Sequence, residues 1–555
     1  MTSSRIFSAV LCVSLRPLRL SCRLTQRTLR YAEDAEKIDQ FKTLFCVLAL
    51  LLLAATSARA NVSLPDVIGS GMVLQQKQKV PIWGHADPGE MVTVRFAGQS
   101  KKATTTHDGK WLVKLDPLRA TSTAQTMLIS GKNTIELTNI LVGEVWLVAG
   151  QSNMQRLLSE TANGEAAIAA ADHPHIRLFN VSRQVAFKHA PPPLATWQAC
   201  SPQTVKTFSA AGYYFGVELE NELHVPVGLI NSSYGGSQAE AWTPVEYLLA
   251  SNDLRPTVER TKIWDEERPR VRVAYDEALQ KWRADADKAV AAGARPSPSP
   301  AVPDALREYR IAASIYDGMI APLIPFPIRG AVWYQGESNE ARAQQYELLL
   351  PTMIKAWRDR WGEGDFPFGI VQLPNYRDAK ANPADEAWSH LREAQRRTAM
   401  TTANTGLIVT IDIGEARDIH PKNKLDVGKR MARWAMADVY GRKLTKSGPV
   451  FREATFTGRK AVLKFDQAGD GLRIRDGDKL DEFAIAGVDG KWYWANARIV
   501  SKDRIEVWSE AVSQPVAVRY AFNNNPKHPN LTNETGLPAA PFRTDRWPGP
   551  TDGKR

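Results

Sequence analysis

The amino-acid sequence predicts an α/β protein whose mostly parallel sheet is covered by helices and flanked by β-rich regions. Between residues 144 and 440, short apolar runs alternate with stretches of helical periodicity. Residues 61–143 and 441–545 instead alternate apolar and polar positions between turn signals. Residues 251–310 interrupt the α/β rhythm with a long amphipathic stretch. Together these patterns indicate a three-layer α/β core with β-rich flanks and a helical insertion.

The α/β core is predicted from apolar strands and the helices between them. The predicted strands are residues 145–149, 176–181, 227–231, 330–334, 368–373 and 407–411. The predicted helices are residues 208–223, 341–360, 385–400 and 422–440. Strands that alternate with helices pair in parallel and are buried on both faces, which explains their nearly continuous apolar character.

The flanking regions each have their own pattern. Residues 61–143 predict a small β-sandwich, residues 441–545 a β-rich domain with its tail, and residues 546–555 a flexible end. In the insertion, residues 251–310, apolar side chains recur every three or four positions over 271–289, which predicts an amphipathic helix. The insertion is interpreted as decoration over the sheet edge, with a flap near the active site as the alternative.

The first 60 residues have the pattern of an export signal. Lys42 precedes an apolar run over residues 44–55, and Ala58-Arg59-Ala60 follows as a cleavage motif. The run is too short to span a bilayer comfortably. We therefore expect residues 1–60 to be removed and the protein to be exported, periplasmic or secreted, with no membrane association afterwards.

Composition excludes several classes of function. The formal net charge is +11, but nine basic and four acidic residues lie in the first 60, so the remainder carries only +6. No basic run or basic helix stands out, which argues against nucleic-acid binding. A hydrophobic content of 43% is typical of a globular protein with a sizeable core.

Cysteine usage is equally informative. Cys12, Cys22 and Cys46 lie in the leader, which leaves Cys200 alone in the rest of the chain. One thiol cannot form an internal disulfide, and we expect Cys200 to be a small buried side chain. No ligand pattern for a metal is present, so neither a metal nor a cofactor is predicted.

A serine follows the first core strand at a position suited to catalysis. The apolar run over residues 145–149 stops at Gly150, and Ser152 follows where a helix could begin. Ligand crevices of open α/β sheets lie at the carboxyl ends of strands. A nucleophilic serine needs this exposure beside backbone N–H groups.

Three further segments with polar or glycine residues lie where later core strands should end. Tandem glycines in residues 231–237 permit close approach of backbone N–H groups to a ligand. Residues 333–339 offer side-chain amides as hydrogen-bond donors. His420 precedes Pro421, which is suited to the first turn of the last predicted core helix.

These four segments in this order resemble the SGNH hydrolases, and specifically the sialate O-acetylesterase-type carbohydrate esterases. The resemblance rests on Gly150-Gln151-Ser152-Asn153-Met154, Tyr234-Gly235-Gly236, Trp333-Tyr334-Gln335-Gly336-Glu337-Ser338-Asn339 and Asp418-Ile419-His420-Pro421, and it runs from about residue 61 to 545. It implies a flavodoxin-like, three-layer SGNH hydrolase core and an acetylesterase that needs no cofactor.

The resemblance also implies roles for residues. Ser152 would be the nucleophile and His420 its general base. The N–H groups of Ser152 and Gly236 would hold the oxyanion, with a side-chain amide from either Gln335 or Asn339. The choice between the two amides stays open, because the third motif reads Gly-Glu-Ser-Asn rather than the Gly-x-Asn-Asp of many relatives.

The acid that would orient His420 departs from the family pattern. Many relatives place it three residues before the histidine, but that position is Arg417 here. Asp418 is the nearest carboxylate and the favoured candidate. Asp412 and Glu337 are the alternatives.

The predicted partner is an acetylated carbohydrate: a sialic acid, or a plant polysaccharide or oligosaccharide such as xyloglucan or xylan. Flat aromatic rings pack against sugar faces, so Trp242 and Trp388 are predicted near the sugar, with Glu337 as a further substrate contact. The alternative function is a non-catalytic glycan-binding protein built on a hydrolase core. The sequence does not indicate the oligomeric state.

Overall fold

The computed structural model describes residues 61–185 and 194–555. The predicted signal peptide, within residues 1–60, lies outside the described residues. No helix in the described ranges is both long enough and apolar enough to cross a membrane.

The first part of the described chain consists of β-strands. These are β1 (Val73–Gln75), β2 (Val80–His85), β3 (Met91–Phe96), β4 (Gln99–Thr104), β5 (Lys110–Leu115), β6 (Thr121–Ser130) and β7 (Thr134–Gly150). Strands β4, β3, β6 and β7 pair in that order as an antiparallel sheet, and β2 pairs with β5. In β3 and β5 every second residue is buried, as the alternating sequence predicts.

Strand β7 joins the β-rich region to the core. Its first half pairs with β6, whereas residues 144–150 pair in parallel with β10 (Val227–Ser233). The boundary predicted between residues 143 and 144 therefore falls inside one continuous strand. Gly143 lies at this point because a Cβ there would be 1.9 Å from the carbonyl oxygen of Pro226.

The core sheet continues on both sides of β7. Its remaining strands are β8 (His173–Asn180), β9 (Trp197–Cys200), β11 (Gly330–Tyr334), β12 (Phe368–Val371) and β13 (Thr405–Ile408), in the order β13-β12-β11-β7-β10-β8-β9. All neighbours are parallel except β8 and β9. The predicted parallel core strands are all present, and Cys200 is a buried free thiol as expected.

The strand order differs from the flavodoxin-like order that the resemblance implies. In that order the first core strand lies between the second and the third. Here β10, the third parallel strand, lies between β7 and β8. Buried parallel strands are uniformly apolar, so their sequences do not specify which neighbour each one takes. Strands β8 and β10 lie on one side of β7, whereas β11, β12 and β13 lie on its other side. At such a reversal of strand order a ligand crevice forms outside the carboxyl ends of the strands. The crevice is therefore expected at the carboxyl ends of β7, β10 and β11.

Helices cover both faces of the core sheet. They are α1 (Ser152–Gln155), α2 (Gly164–Ala169), α3 (Ala210–Leu223), α4 (Val245–Leu249), α5 (Arg255–Ala291), α6 (Ala343–Trp361), α7 (Ala387–Thr401) and α8 (Leu425–Asp438). Trp146 of β7 packs against rings from α3 and α8, whereas Trp333 of β11 packs against Trp357 of α6. Trp146 is opposite Gly330, three residues from Trp333, so the two tryptophans face opposite sides of the sheet.

The predicted insertion contains a longer helix than its apolar pattern indicates. Helix α5 spans 37 residues, and its buried side chains are confined to Thr257, Val258 and Thr261 near its first turns. Two short 3-10 turns follow, Asp304–Leu306 and Glu308–Arg310. The insertion therefore leaves the body of the protein along α5 and returns to it at these turns.

The C-terminal region contains ten short strands and a second hydrophobic core. The strands are β14 (Val450–Thr457), β15 (Lys460–Asp466), β16 (Leu472–Ile474), β17 (Phe483–Ala486), β18 (Trp492–Trp494), β19 (Asn496–Ser501), β20 (Arg504–Trp508), β21 (Ala517–Tyr520), β22 (Leu531–Asn533) and β23 (Phe542–Arg543). They form two antiparallel four-stranded sheets and one pair. The last ten residues, expected to be a flexible end, include Thr551, which is buried and hydrogen-bonded to Gln344.

Candidate active site

Ser152 lies half-buried at the end of β7, where the glycine two residues before it shapes the turn. Gly150 has φ of +143°, and a Cβ there would lie 2.2 Å from the Tyr334 carbonyl oxygen. No side chain fits between β7 and β11 at this point. Gln151 then donates its N–H to the same carbonyl at 3.0 Å, and Ser152 begins α1.

The glycine pair after β10 lies against Ser152. A Cβ on Gly235 would be 3.5 Å from the Ser152 Cβ. The Gly235 N–H donates to Gln155 Oε1 at 2.6 Å. Gly236 has φ of +75°, a conformation that favours glycine. The N–H groups of Ser152 and Gly236 have no acceptor in the described part of the chain, which leaves both free to bind an oxyanion.

His420 is in direct contact with the serine. Its Nε2 lies 2.8 Å from Ser152 Oγ, a hydrogen-bond distance. Burial of the imidazole and the nearby Arg156 guanidinium lower the pKa of His420, while Asp418 opposes this shift. The imidazole is therefore neutral at neutral pH, which is the form that accepts a proton.

Asp418 contacts the same histidine without a hydrogen bond to its ring. Its Oδ1 is 3.7 Å from His420 Nδ1, which exceeds the usual hydrogen-bond distance. The same oxygen accepts the backbone N–H of His420 at 2.8 Å. Asp418 thus shapes the loop and adds negative charge near the ring.

The two alternative acids contact other residues. Asp412 forms an ion pair with Arg430 at 2.7 Å and another with Arg475 at 3.4 Å. Glu337 is buried and accepts a hydrogen bond from Asn153 at 2.6 Å. Of the three carboxylates considered, Asp418 is the one whose contacts include His420.

The two amides predicted for the oxyanion hole belong to a buried hydrogen-bond network. Gln335 Nε2 donates to Ser237 O at 3.2 Å and to Asn339 Oδ1 at 2.7 Å. Asn339 Nδ2 donates to Glu240 at 2.8 Å. Both side chains are almost completely buried. A role for either amide on the oxyanion would require these bonds to rearrange, so that role stays a prediction.

A second polar network, which the sequence did not reveal, lies beneath Ser152 and His420. Asn153 donates to Ile419 O at 2.9 Å and to Glu337, and it accepts a hydrogen bond from Lys424 Nζ at 2.7 Å. Lys424 also donates to Pro421 O at 2.7 Å. Burial lowers the pKa of Lys424 to about 7 and raises that of Glu337. The network connects the serine turn to the histidine loop.

The sequence indicated Asn153 as part of the site but gave no indication of Lys424. Asn153 follows the nucleophile directly in the predicted motif. Lys424 is four residues after His420, in a segment predicted to be the start of a helix, where a lysine is normally exposed. Its burial depends on how that loop folds over α1.

The aromatic side chains near the site are not the predicted ones. Trp242 has no exposed surface and donates its Nε1–H to Ser237, and Trp388 is 1% exposed. Burial leaves neither ring a face for a sugar, so the structure does not support their predicted contact with substrate. Tyr234 and Tyr309 instead stack with ring centroids 4.9 Å apart.

Tyr309 brings the insertion to the active site. A Cβ on Gly236 would be 3.4 Å from the Tyr309 ring. Arg310 donates to the Gly236 carbonyl at 3.2 Å. The returning end of the insertion therefore supports the glycine loop, while α5 extends away. Sequence reasoning missed Tyr309 because more than 70 residues separate it from this loop.

In the described ranges, no group of three or more His, Cys, Asp or Glu side chains is arranged to hold a metal ion. At the site a hydroxyl, an imidazole and free backbone N–H groups lie together. This set is suited to acyl transfer.

Comparison with known proteins shows which proteins this chain is similar to. The family described as "Carbohydrate esterase, sialic acid-specific acetylesterase" matches residues 142–292 and 305–437. Human sialate O-acetylesterase is 28% identical over 551 residues, covering 91% of this chain and 97% of the human protein. The mouse enzyme is also 28% identical, covering 89% and 97%. The crystal structure of a carbohydrate acetylesterase from Xanthomonas citri is 34% identical with a TM-score of 0.73, covering 88% of this chain and all of that one.

Proposed function

Because the chain belongs to the sialic acid-specific acetylesterase family of carbohydrate esterases, we propose that it hydrolyses O-acetyl esters of sugars through an acyl-enzyme on Ser152. The observation that carries this proposal is the 2.8 Å contact between His420 Nε2 and Ser152 Oγ. A neutral imidazole at this distance can accept the hydroxyl proton as the oxygen attacks.

In the first step Ser152 Oγ forms a bond to the acetyl carbonyl carbon while its proton moves to His420 Nε2. The negative charge that develops on the carbonyl oxygen is stabilised by the N–H groups of Ser152 and Gly236. One such donor typically contributes about 3–4 kcal/mol in the transition state. The C–O bond to the sugar then breaks, and the sugar oxygen takes the proton from His420. The products are a free sugar hydroxyl and acetyl-Ser152.

In the second step water replaces the sugar. His420 Nε2 accepts a proton from water as its oxygen attacks the acetyl carbonyl. The bond to Ser152 Oγ breaks, Oγ regains the proton from His420, and the product leaves as acetic acid, which keeps the second proton of the water and releases it to solvent to give acetate. Atoms and protons balance without a cofactor.

The acetylated sugar is the finer part of the proposal. The names of the relatives suggest sialic acids, and acetylated xylan or xyloglucan are the plant alternatives. Acetate release from all three, measured side by side, identifies the preferred class.

Export is proposed from the leader pattern in the sequence. We expect cleavage after Ala60 and a mature chain beginning at Asn61. Intact mass and N-terminal sequencing of the protein recovered outside the cytoplasm test this, and a retained leader would contradict it.

The experiment that tests the activity compares wild-type protein with Ser152→Ala on 4-nitrophenyl acetate and acetylated sugars. Loss of the nucleophile should lower kcat by about 10⁴-fold or more. Ser501→Ala, in a distant exposed hairpin, is the control and should keep full activity. Glycan binding by the wild type with no acetate release would instead support the non-catalytic binding protein.

A further inference from the structure

A cleft with the character of a sugar-binding site lies in the C-terminal β-rich region. Its volume is about 570 Å³, within the range of small-ligand sites. It is lined by Lys380, Asp481, Trp494, Trp508, Lys527 and His528. We call it the distal cleft. None of its lining residues belongs to the site at Ser152.

Trp494 gives the cleft a fixed aromatic wall. Its side chain is 38% exposed, although most tryptophans are largely buried. Its indole Nε1–H donates to the Ala381 carbonyl at 2.8 Å, which fixes the orientation of the ring. A ring held in place loses little conformational freedom when a ligand binds. Such a face suits the apolar face of a pyranose.

The rim of the cleft carries both positively and negatively charged side chains that can form hydrogen bonds. Asp481 and His528 contact each other at 2.8 Å, and Lys380 and Lys527 contribute ammonium groups. An aromatic wall with donors and acceptors around it is the combination that carbohydrate hydroxyls require. The mixed charge does not favour a strongly anionic ligand alone.

A second cavity adjoins the distal cleft and is lined in part by the loop that precedes His420. This cavity, of about 400 Å³, shares Lys380 with the cleft and is also lined by Arg417. Arg417 directly precedes Asp418. Arg377 also lines this cavity, and its backbone N–H donates to Ala416 O at 2.9 Å. The two cavities thus meet at Lys380, one of them reaching Arg417 and the other Trp494, and we call the pair the groove.

We propose that this groove binds the unmodified part of an extended glycan whose acetylated residue is at Ser152, with Trp494 stacking on a distant sugar. This inference rests on the proposed esterase function and names its substrate class as oligosaccharide or polysaccharide chains.

The test compares Trp494→Ala with Tyr493→Ala. Tyr493 is also 38% exposed, but it is adjacent on β18 and does not line the cleft; alternation turns it to the opposite face. For Trp494→Ala we expect KM on acetylated xylan or xyloglucan to rise about five- to tenfold with kcat nearly unchanged. Activity on 4-nitrophenyl acetate should be the same in both variants and wild type.

A second variant tests the proposal independently in case Trp494→Ala misfolds. Lys380→Ala removes an exposed side chain shared by both cavities and should also raise KM for the polymer alone. An unchanged KM in both cleft variants, an equal rise in Tyr493→Ala, or a parallel loss on 4-nitrophenyl acetate would overturn the proposal.

Binding without turnover separates this inference from the esterase function. Affinity electrophoresis of Ser152→Ala through gels containing deacetylated xylan, xyloglucan or polysialic acid measures glycan binding directly. We expect retardation by at least one polymer that Trp494→Ala abolishes. Retardation that survives Trp494→Ala, or none with any polymer, would refute the distal cleft as a glycan site even if the protein hydrolyses acetyl esters.

Discussion

From its position we expect Asp418 to stabilise the protonated His420 ring by its negative charge and not by a hydrogen bond to the ring. In Asp418→Asn the negative charge disappears while the side-chain shape is kept. The asparagine Oδ1 can still accept the His420 N–H, which Asp418 accepts at 2.8 Å. The loop should therefore keep its conformation, and the change isolates the effect of the charge on the imidazolium.

The magnitude follows from the 3.7 Å between Asp418 Oδ1 and His420 Nδ1. Two unit charges at about this distance interact by about 1 kcal/mol in water and about 4 kcal/mol at an effective dielectric constant of 20. The side chains are 30% and 38% exposed, so solvent screening favours the lower part of this range. A loss of about 1–3 kcal/mol corresponds to a kcat roughly 5- to 150-fold lower.

The assay is kcat and kcat/KM on 4-nitrophenyl acetate from pH 5 to 9. The charge of Asp418 raises the pKa of His420, so its removal should move the acid limb of kcat/KM to lower pH. Glu415→Gln removes a charge from the same loop and, because its carboxylate accepts the Lys422 N–H, serves as the control. A loss of about 10⁴-fold, as when a triad acid hydrogen-bonded to the ring is replaced, would refute the charge-only role. A loss below twofold would show that Asp418 has no role.

Three further predictions address the surroundings of the site. Arg156→Gln removes a charge that lowers the pKa of His420, so the acid limb of kcat/KM should move to higher pH, opposite to the shift in Asp418→Asn. A shift in the same direction as in Asp418→Asn would contradict the assignment of this limb to His420. Lys424→Met breaks the buried bonds to Asn153 and Pro421 and should lower the free energy of unfolding in urea by about 1–3 kcal/mol, whereas the exposed Lys422→Met should not. Gly236→Ala strains a backbone at φ of +75° and shifts an oxyanion donor, so kcat should fall about 10- to 100-fold. The control is Gly293→Ala, at φ of +71° with nothing nearby, which should keep full activity. Equal losses of kcat in both variants would argue against the donor role of Gly236.

Much of the core was predictable because strand ends determine which loops can meet. The predicted parallel strands match β7, β8, β10, β11, β12 and β13 to within a few residues apart from the upstream extension of β7. Ser152, Gly236 and His420 follow or adjoin such ends, so their convergence could be inferred from order and spacing. An apolar run predicts that a strand is buried, but it does not predict which strand lies beside it. For that reason the sequence did not predict the order of β8 and β10.

The details of the site depended on side-chain packing, which spacing does not encode. Gln335 and Asn339 occupy the predicted loop, yet their amides bond to each other. Trp242 follows the glycine pair closely, but its ring turns into the core against Trp333. Tyr309 reaches the site only because the insertion folds back. These outcomes depend on long-range contacts that no local pattern contains.

The central claim is that His420 activates Ser152 as a nucleophile, and trapping the covalent enzyme tests it most directly. A fluorophosphonate, or a short pulse of 4-nitrophenyl acetate quenched in acid, is followed by intact mass and peptide mapping. We expect a single adduct on Ser152 that is absent in Ser152→Ala and forms far more slowly in His420→Ala. An adduct on another residue, or equal labelling after loss of His420, would contradict the account.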